Sequence, residues 1–137
     1  MKIEHIGIAV KSLSESIPVY EKLLNTICYK TETVESENVD TAFFKVGESK
    51  IELLASTTSD GVIAKYIDKK GEGMHHIAYA VDDIYNEMKR MEAEGFTILQ
   101  QEPKKGADNK WVCFLHPKSA HGVLVELCME RENEPSV

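Results

Sequence analysis

The chain has 137 residues, 42% of them hydrophobic and 28% charged, which suits one soluble domain with its own core and is too little for two. A net charge of −7 argues against non-specific nucleic-acid binding, which depends on Lys and Arg neutralising phosphates. The longest apolar runs, such as IGIAV at residues 6–10, fall far short of the roughly 20 residues that cross a bilayer, so no membrane span is expected.

Residues 3–25 (IEHIGIAVKSLSESIPVYEKLLN) open as a strand and continue as a helix. Strand alternation puts His5, Gly7 and Ala9 on one face and the larger Ile6, Ile8 and Val10 on the other. Ile17, Tyr20 and Leu24 form the helical stripe, with Ser12 or Ser14 as N-cap and Pro18 within the first turn or so. Strand-like runs follow at roughly 27–35, 39–46 and 49–56. A bridge over residues 60–72 includes a short helix near VIAKYI at 62–67.

The pattern then repeats. In MHHIAYAVDDIYNEMKRMEAEGF (residues 74–96), His76, Ile77, Ala80 and Val81 fall on His5, Ile6, Ala9 and Val10 at a shift of 71. Ile84, Met88 and Met91 form the second helical stripe, capped by Asp82 or Asp83. Three further strands are expected near 96–101, 111–116 and 122–129. There LVELCME (124–130) echoes KIELLAS (50–56) and puts Glu126 on Glu52 at a shift of 74, one short loop insertion away from the first shift. The class is α+β: two tandem βαβββ modules, about 2–57 and 73–130, in one domain over residues 1–130, with 131–137 as a frayed tail.

Cysteines stand at 28, 113 and 128, with no C-x-x-C pair, which supports neither a disulfide framework nor a zinc knuckle. Cys113 and Cys128 read as small buried hydrophobes inside strands. No basic, apolar leader opens the sequence, so a reducing, cytoplasmic location is the expectation. Residues 104–118 (KKGADNKWVCFLHPK) hold four Lys against one Asp, either a solvated loop or a local attractor for an anionic small molecule.

Glu52 in IELL and Glu126 in VLVEL lie among aliphatic residues, where an unpaired carboxylate costs several kcal/mol and so needs a cation, a donor set or exposure. A lone strand Glu faces solvent and a lone strand His is a hydrogen-bonded core residue more often than either is a ligand. Recurrence of both at equivalent places in two modules makes accident a poor account of His5, Glu52, His76 and Glu126 together. Two imidazoles and two carboxylates suit one six-coordinate divalent ion, Co²⁺, Mn²⁺, Ni²⁺ or Zn²⁺, with water completing the shell. Such open positions are what a Lewis acid needs to hold a substrate oxygen.

EHIGIAV, the ELL strand, GMHHIAYAVDD and FLHPKSAHGVLVEL together resemble the vicinal oxygen chelate superfamily and, within it, the methylmalonyl-CoA epimerases. The resemblance covers about residues 2–130 and is most specific from Lys105 to Glu126. It implies a curled eight-stranded mixed sheet around the metal, the ligand set already named, and a CoA thioester as substrate. It also implies a 1,1-proton transfer in which Glu126 is one proton-handling group and a carboxylate near the end of the second strand is the other. Glu35 is favoured for that role, with Glu37 and a plain solvent-facing Glu as the alternatives. His75 is excluded as facing the opposite side of its strand. The resemblance is compatible with a homodimer. The alternative from the same superfamily is glyoxalase I, lactoylglutathione lyase, which would need cations for glutathione carboxylates where the chain has only Arg90 and Arg131. A dioxygenase iron site would be obstructed by Glu52, and a metal-free binding protein would leave two buried carboxylates uncompensated.

Overall fold

Residues 1–132 are described by a computed structural model. The first module runs β1 (Lys2–Ala9), α1 (Leu13–Leu24), β2 (Lys30–Val34), β3 (Val39–Val46) and β4 (Ser49–Ser56). After the bridging helix α2 (Val62–Lys70), the second runs β5 (Gly73–Ala80), α3 (Ile84–Ala93), β6 (Lys104–Gly106), β7 (Lys110–Leu115) and β8 (Val125–Glu130). All eight strands form one mixed sheet in the order β2-β3-β4-β1-β5-β8-β7-β6. The modules join where β1 pairs antiparallel with β5, while β1–β4 and β5–β8 are the parallel pairs. The fold class is therefore the one expected.

The larger strand faces lie under the helices. Ile17, Tyr20 and Leu24 of α1 pack on Val10, Ala42, Phe44 and Leu53, and Ile84, Met88 and Met91 of α3 pack on Cys113, Leu115 and Leu127. Of the alternative caps, Ser12 accepts from the Glu15 N–H at 3.3 Å and Asp83 from the Asn86 N–H at 3.2 Å. Pro18 falls past the first turn of α1, where its ring removes the bond that the Ser14 carbonyl would otherwise accept. Cys113 and Cys128 are fully buried free thiols, their ionisation disfavoured by that burial.

Residues 96–101 do not form the regular strand expected there. Phe96 and Ile98 pack into the α3 cluster, and Ile98 makes one isolated bridge to Leu115. The Gln100 side chain accepts the Phe114 N–H at 2.7 Å in place of a ladder bond. The edge strand is β6, a few residues later. Its turn onto β7 reaches back to the opposite edge of the sheet: Asp108 takes Lys30 at 2.5 Å and Lys50 at 2.6 Å, and the Asp108 N–H donates to Glu32 at 3.0 Å. These bonds close the curl. No helix among the described residues is long and apolar enough to cross a membrane. Of the expected tail, residues 133–137 lie outside those described.

Candidate metal centre and active-site cavity

Glu52, His5, His76 and Glu126 sit on β4, β1, β5 and β8, four consecutive strands of the sheet. Register brings them to one level: Gly7 lies between Glu52 and His76, and Ala78 lies between His5 and Glu126. The small residues of the concave face supply the room. A methyl group built on Gly7 would overlap the His76 imidazole, so the ring lies where only glycine lets it lie. All four side chains are buried, with exposures of 4% for His5, 4% for Glu52, 6% for His76 and 5% for Glu126.

The donor atoms fall into two groups that share His5. On one side of its ring, Nε2 lies 3.0 Å from His76 Nε2 and 3.7 Å from Glu126, and His76 Nε2 lies 3.3 Å from Glu126. On the other side, Nδ1 lies 3.0 Å from Glu52 and 3.2 Å from Glu4, a residue the alternation argument did not single out. The donor set fits a divalent cation. Two imidazole nitrogens approaching to hydrogen-bond distance, with three carboxylates buried around them, form a nitrogen–oxygen cluster of excess negative charge.

The metal-free electrostatics show the same strain. Burial pushes the Glu126 carboxyl up to about 7, and the nearby Glu52 and Glu4 add to it against the pull of His5. Burial opposes charge on His5, but the carboxylates of Glu4 and Glu52 outweigh it and raise the imidazole to about 10. His76 is held well below its ordinary value by burial and by the charge of His5, and burial lowers His75 to about 4. Glu4, bonded to His5 and near Lys50, is lowered to about 2.

Above the cluster lies a cavity of about 350 Å³, within the range of small-molecule sites. Its wall divides the candidate second carboxylates. Glu37 lines it, whereas Glu35 is exposed and stands outside the lining. Residues 35–37 form a 3-10 turn closed by Asn38 at φ 52°, so strand alternation does not carry through. Lys104 and Lys105 of the Lys-rich stretch line the cavity, with Lys104 paired to Glu37 at 2.8 Å, while Lys118 does not line it and Lys110 is turned to Glu130. His75 also lines the cavity, with Nδ1 2.9 Å from Nδ1 of His76, which corrects the expectation that it faces the other side of the strand, although it belongs to neither group of candidate ligands. Neither Arg90 nor Arg131 lines it. In the first module's wall, the Thr41 hydroxyl is buried without a hydrogen-bond partner among the described residues.

Residues 4–114 match the profile of the Glyoxalase/Bleomycin resistance protein/Dioxygenase superfamily. The mitochondrial methylmalonyl-CoA epimerase of Dictyostelium discoideum is 38% identical over 127 residues, 92% of this chain and 76% of that one. Among solved structures, a hypothetical protein from Bacillus halodurans is 41% identical with a TM-score of 0.93, covering 98% of both chains. The Streptomyces coelicolor methylmalonyl-CoA epimerase in complex with 2-nitronate-propionyl-CoA is 33% identical with a TM-score of 0.91, covering 96% of this chain and 99% of that one. With its paired modules and its histidine–glutamate cluster, the chain belongs to the Glyoxalase/Bleomycin resistance protein/Dioxygenase superfamily and, within it, to the methylmalonyl-CoA epimerases.

Proposed function

We propose that this protein is a metal-dependent epimerase that interconverts (2R)- and (2S)-methylmalonyl-CoA by 1,1-proton transfer through an enolate. The observation that carries the proposal is the convergence of His5 Nε2, His76 Nε2 and Glu126 beneath a cavity that also holds a second carboxylate, in a chain alike to epimerases along its length. His5 Nε2, His76 Nε2 and Glu126 would hold the divalent ion, whether Co²⁺, Mn²⁺, Ni²⁺ or Zn²⁺, and Glu52, whose carboxylate lies at His5 Nδ1, would turn toward it to complete the set. When bound, the ion supplies Lewis-acid stabilisation of the negative charge that develops on the substrate's oxygens as the C2 proton leaves.

The remaining steps belong to side chains of this protein. Glu126, a buried carboxylate on the cavity wall, is the member of the ligand set suited to take the C2 proton. Glu37 takes the second role in preference to Glu35, because it is the member of that pair on the cavity wall. One carboxylate belongs to each module, so the two can address opposite faces of the planar carbon. In one direction C2–H breaks as Glu126 gains the proton. A new C2–H then forms on the other face with a proton delivered through Glu37 from the Lys104 ammonium paired with it at 2.8 Å. The reverse direction exchanges the roles, and C2 is inverted with no net gain or loss of protons. Lys104 and Lys105 at the rim would attract the anionic thioester.

Residues 1–130 are proposed to act as one domain with a complete ligand set, so a homodimer would carry two independent sites. The three free thiols suit a reducing, cytoplasmic compartment. No feature of the cavity favours glyoxalase chemistry. The test is a reaction in D₂O with (2R)-methylmalonyl-CoA and a divalent metal. Epimerisation with deuterium incorporated at C2 is expected. Absence of exchange, together with turnover of the methylglyoxal–glutathione hemithioacetal, would transfer the assignment to the lyase.

A further inference from the structure

The pairing of β1 with β5 is interrupted twice, and each interruption falls beside a histidine of the centre. Ile3 pairs with Tyr79 and His5 with Ala78, which leaves Glu4 as an extra residue on β1. Gly7 pairs with His76 and Ile8 with Met74, which leaves His75 as an extra residue on β5. A bulge of this kind re-aims a side chain that regular alternation would send to the other face. Glu4 and His5 are accordingly buried side by side, and the Glu4 carboxylate lies 3.2 Å from His5 Nδ1. In the second module His75 Nδ1 lies 2.9 Å from His76 Nδ1. The duplication has thus placed one bulged residue behind each imidazole, on the nitrogen turned away from the pair of facing Nε2 atoms.

From this geometry we infer that Glu4 and His75 are positioning residues that hold His5 and His76 in the orientation and tautomer presenting Nε2 to a divalent cation. The inference rests on the metal centre proposed above. Neutral imidazole has one N–H, and a ring that offers Nε2 as ligand must keep that hydrogen on Nδ1. His5 Nδ1 has two carboxylates within reach, Glu52 and Glu4. If Glu52 serves as a ligand, Glu4 remains to accept the Nδ1–H. Glu4 is itself anchored, with both carboxylate oxygens near Lys50 Nζ at 3.4 and 3.5 Å. His76 in turn donates its Nδ1–H to His75, which must then be neutral with its hydrogen on Nε2, and the Tyr66 ring braces His75 edge-on at 4.8 Å between centroids. The two ligands are therefore unlike. His5 is backed by a carboxylate and is the more basic donor, while His76 is backed by a neutral ring.

The experiment uses Glu4→Met, which keeps the length of the side chain but cannot accept the bond, and Glu4→Gln, which can. Zn²⁺ is titrated against a chromophoric chelator, and the His5 ring is followed by ¹⁵N NMR in the Zn²⁺-loaded protein. Glu4→Met should weaken Zn²⁺ binding by about 10–100-fold and lose the protected Nδ1–H signal of His5, with Glu4→Gln recovering most of both. His75→Phe, which keeps a ring against Tyr66, should weaken binding in the same direction and alter the His76 signal instead. A wild-type protein that binds no Zn²⁺ would sink the metal centre itself. Zn²⁺ bound equally by wild type and folded Glu4→Met, with the His5 proton still protected, would overturn this inference and leave the metal centre standing. If Glu4→Met does not fold, Glu4→Gln decides by the chemical shift of the His5 Nδ1–H: an upfield move as the acceptor changes from carboxylate to amide supports the inference, and an unchanged shift refutes it.

Discussion

Replacing Gly7 with Ala adds one methyl group to the concave face of β1, directly under the His76 ring. Strand propensity by itself favours the change, since an interior Gly is about 0.5–1 kcal/mol worse than Ala. Here the methyl would meet Cε1, Nδ1 and Nε2 of His76, with Nε2 at 2.8 Å. Carbon atoms settle at about 3.5–4.0 Å, so the ring must retreat by about an ångström. Overpacking of this kind costs about 1–3 kcal/mol, which leaves a net loss of up to about 2.5 kcal/mol after the propensity gain. The functional loss should be larger, because an ångström of misplacement in a catalytic constellation costs about 100-fold in rate. Zn²⁺ affinity by chelator competition, C2 deuterium exchange and a thermal melt together give the answer. The expected result is a Tm lower by a few degrees, weakened Zn²⁺ binding and exchange reduced about 100-fold. A variant with raised Tm, unchanged Zn²⁺ affinity and unchanged exchange would refute the placement of His76 over Gly7.

Glu126→Gln should abolish C2 exchange, and Glu37→Gln should reduce it about 100-fold or more with metal content unchanged, while Glu35→Gln should match wild type; deuterium exchange and metal analysis read all three, and a silent Glu37→Gln beside an impaired Glu35→Gln would reverse the choice of base. Above about pH 6.5 the metal-free protein should lose thermal stability as pH rises, while below it His75 and His76, both lowered chiefly by burial, act in the opposite sense. His5 is raised from 6.5 to about 10, so its stabilising contribution is complete below 6.5 and lost as pH passes through about 10, and Glu126, raised from 4.5 to about 7, moves stability in the same direction. Glu4 acts at the acid end, its contribution present above 4.5 and lost as pH falls through about 2. Zn²⁺ affinity should instead increase with pH, because the ion competes with those protons; melts with and without Zn²⁺ across this range test both signs, and a metal-free Tm that climbs from about pH 6.5 to 9 would contradict them. Thr41→Val removes a buried hydroxyl that makes no hydrogen bond and should stabilise the unliganded protein by about 1 kcal/mol. A melt that shows destabilisation would mean the hydroxyl has a partner.

Much of the site was legible because it is written twice. His5 and His76 lie on the first strand of each module and Glu52 and Glu126 on the last, so duplication singled out four residues that composition would have left ambiguous. The misreadings share one physical origin, a period-2 rule applied where the backbone leaves it. Glu4 and His75 turn inward at bulges, and one extra residue in a strand sends a side chain to the other face. Glu35 and Glu37 lie in a 3-10 turn ending at a left-handed Asn38, where the same rule gives no ranking of one over the other. Residues 96–101 carry a strand-like apolar pattern because Phe96 and Ile98 are packed against α3, yet a side-chain amide replaces part of their ladder.

The sequence by itself determined the architecture and the chemistry. Helical stripes, small-faced strands and a 71-residue echo specify two like modules, and paired His and Glu among aliphatic residues require a cation or its equivalent. Tertiary structure alone decided which carboxylate reaches the cavity, which nitrogen of each imidazole faces its partner, and that Asp108 of the second module ties the sheet's edges together through Lys30 and Lys50 of the first. Those outcomes depend on register, on single-residue bulges and on contacts between segments nearly 80 residues apart, and local patterning carries no information about them.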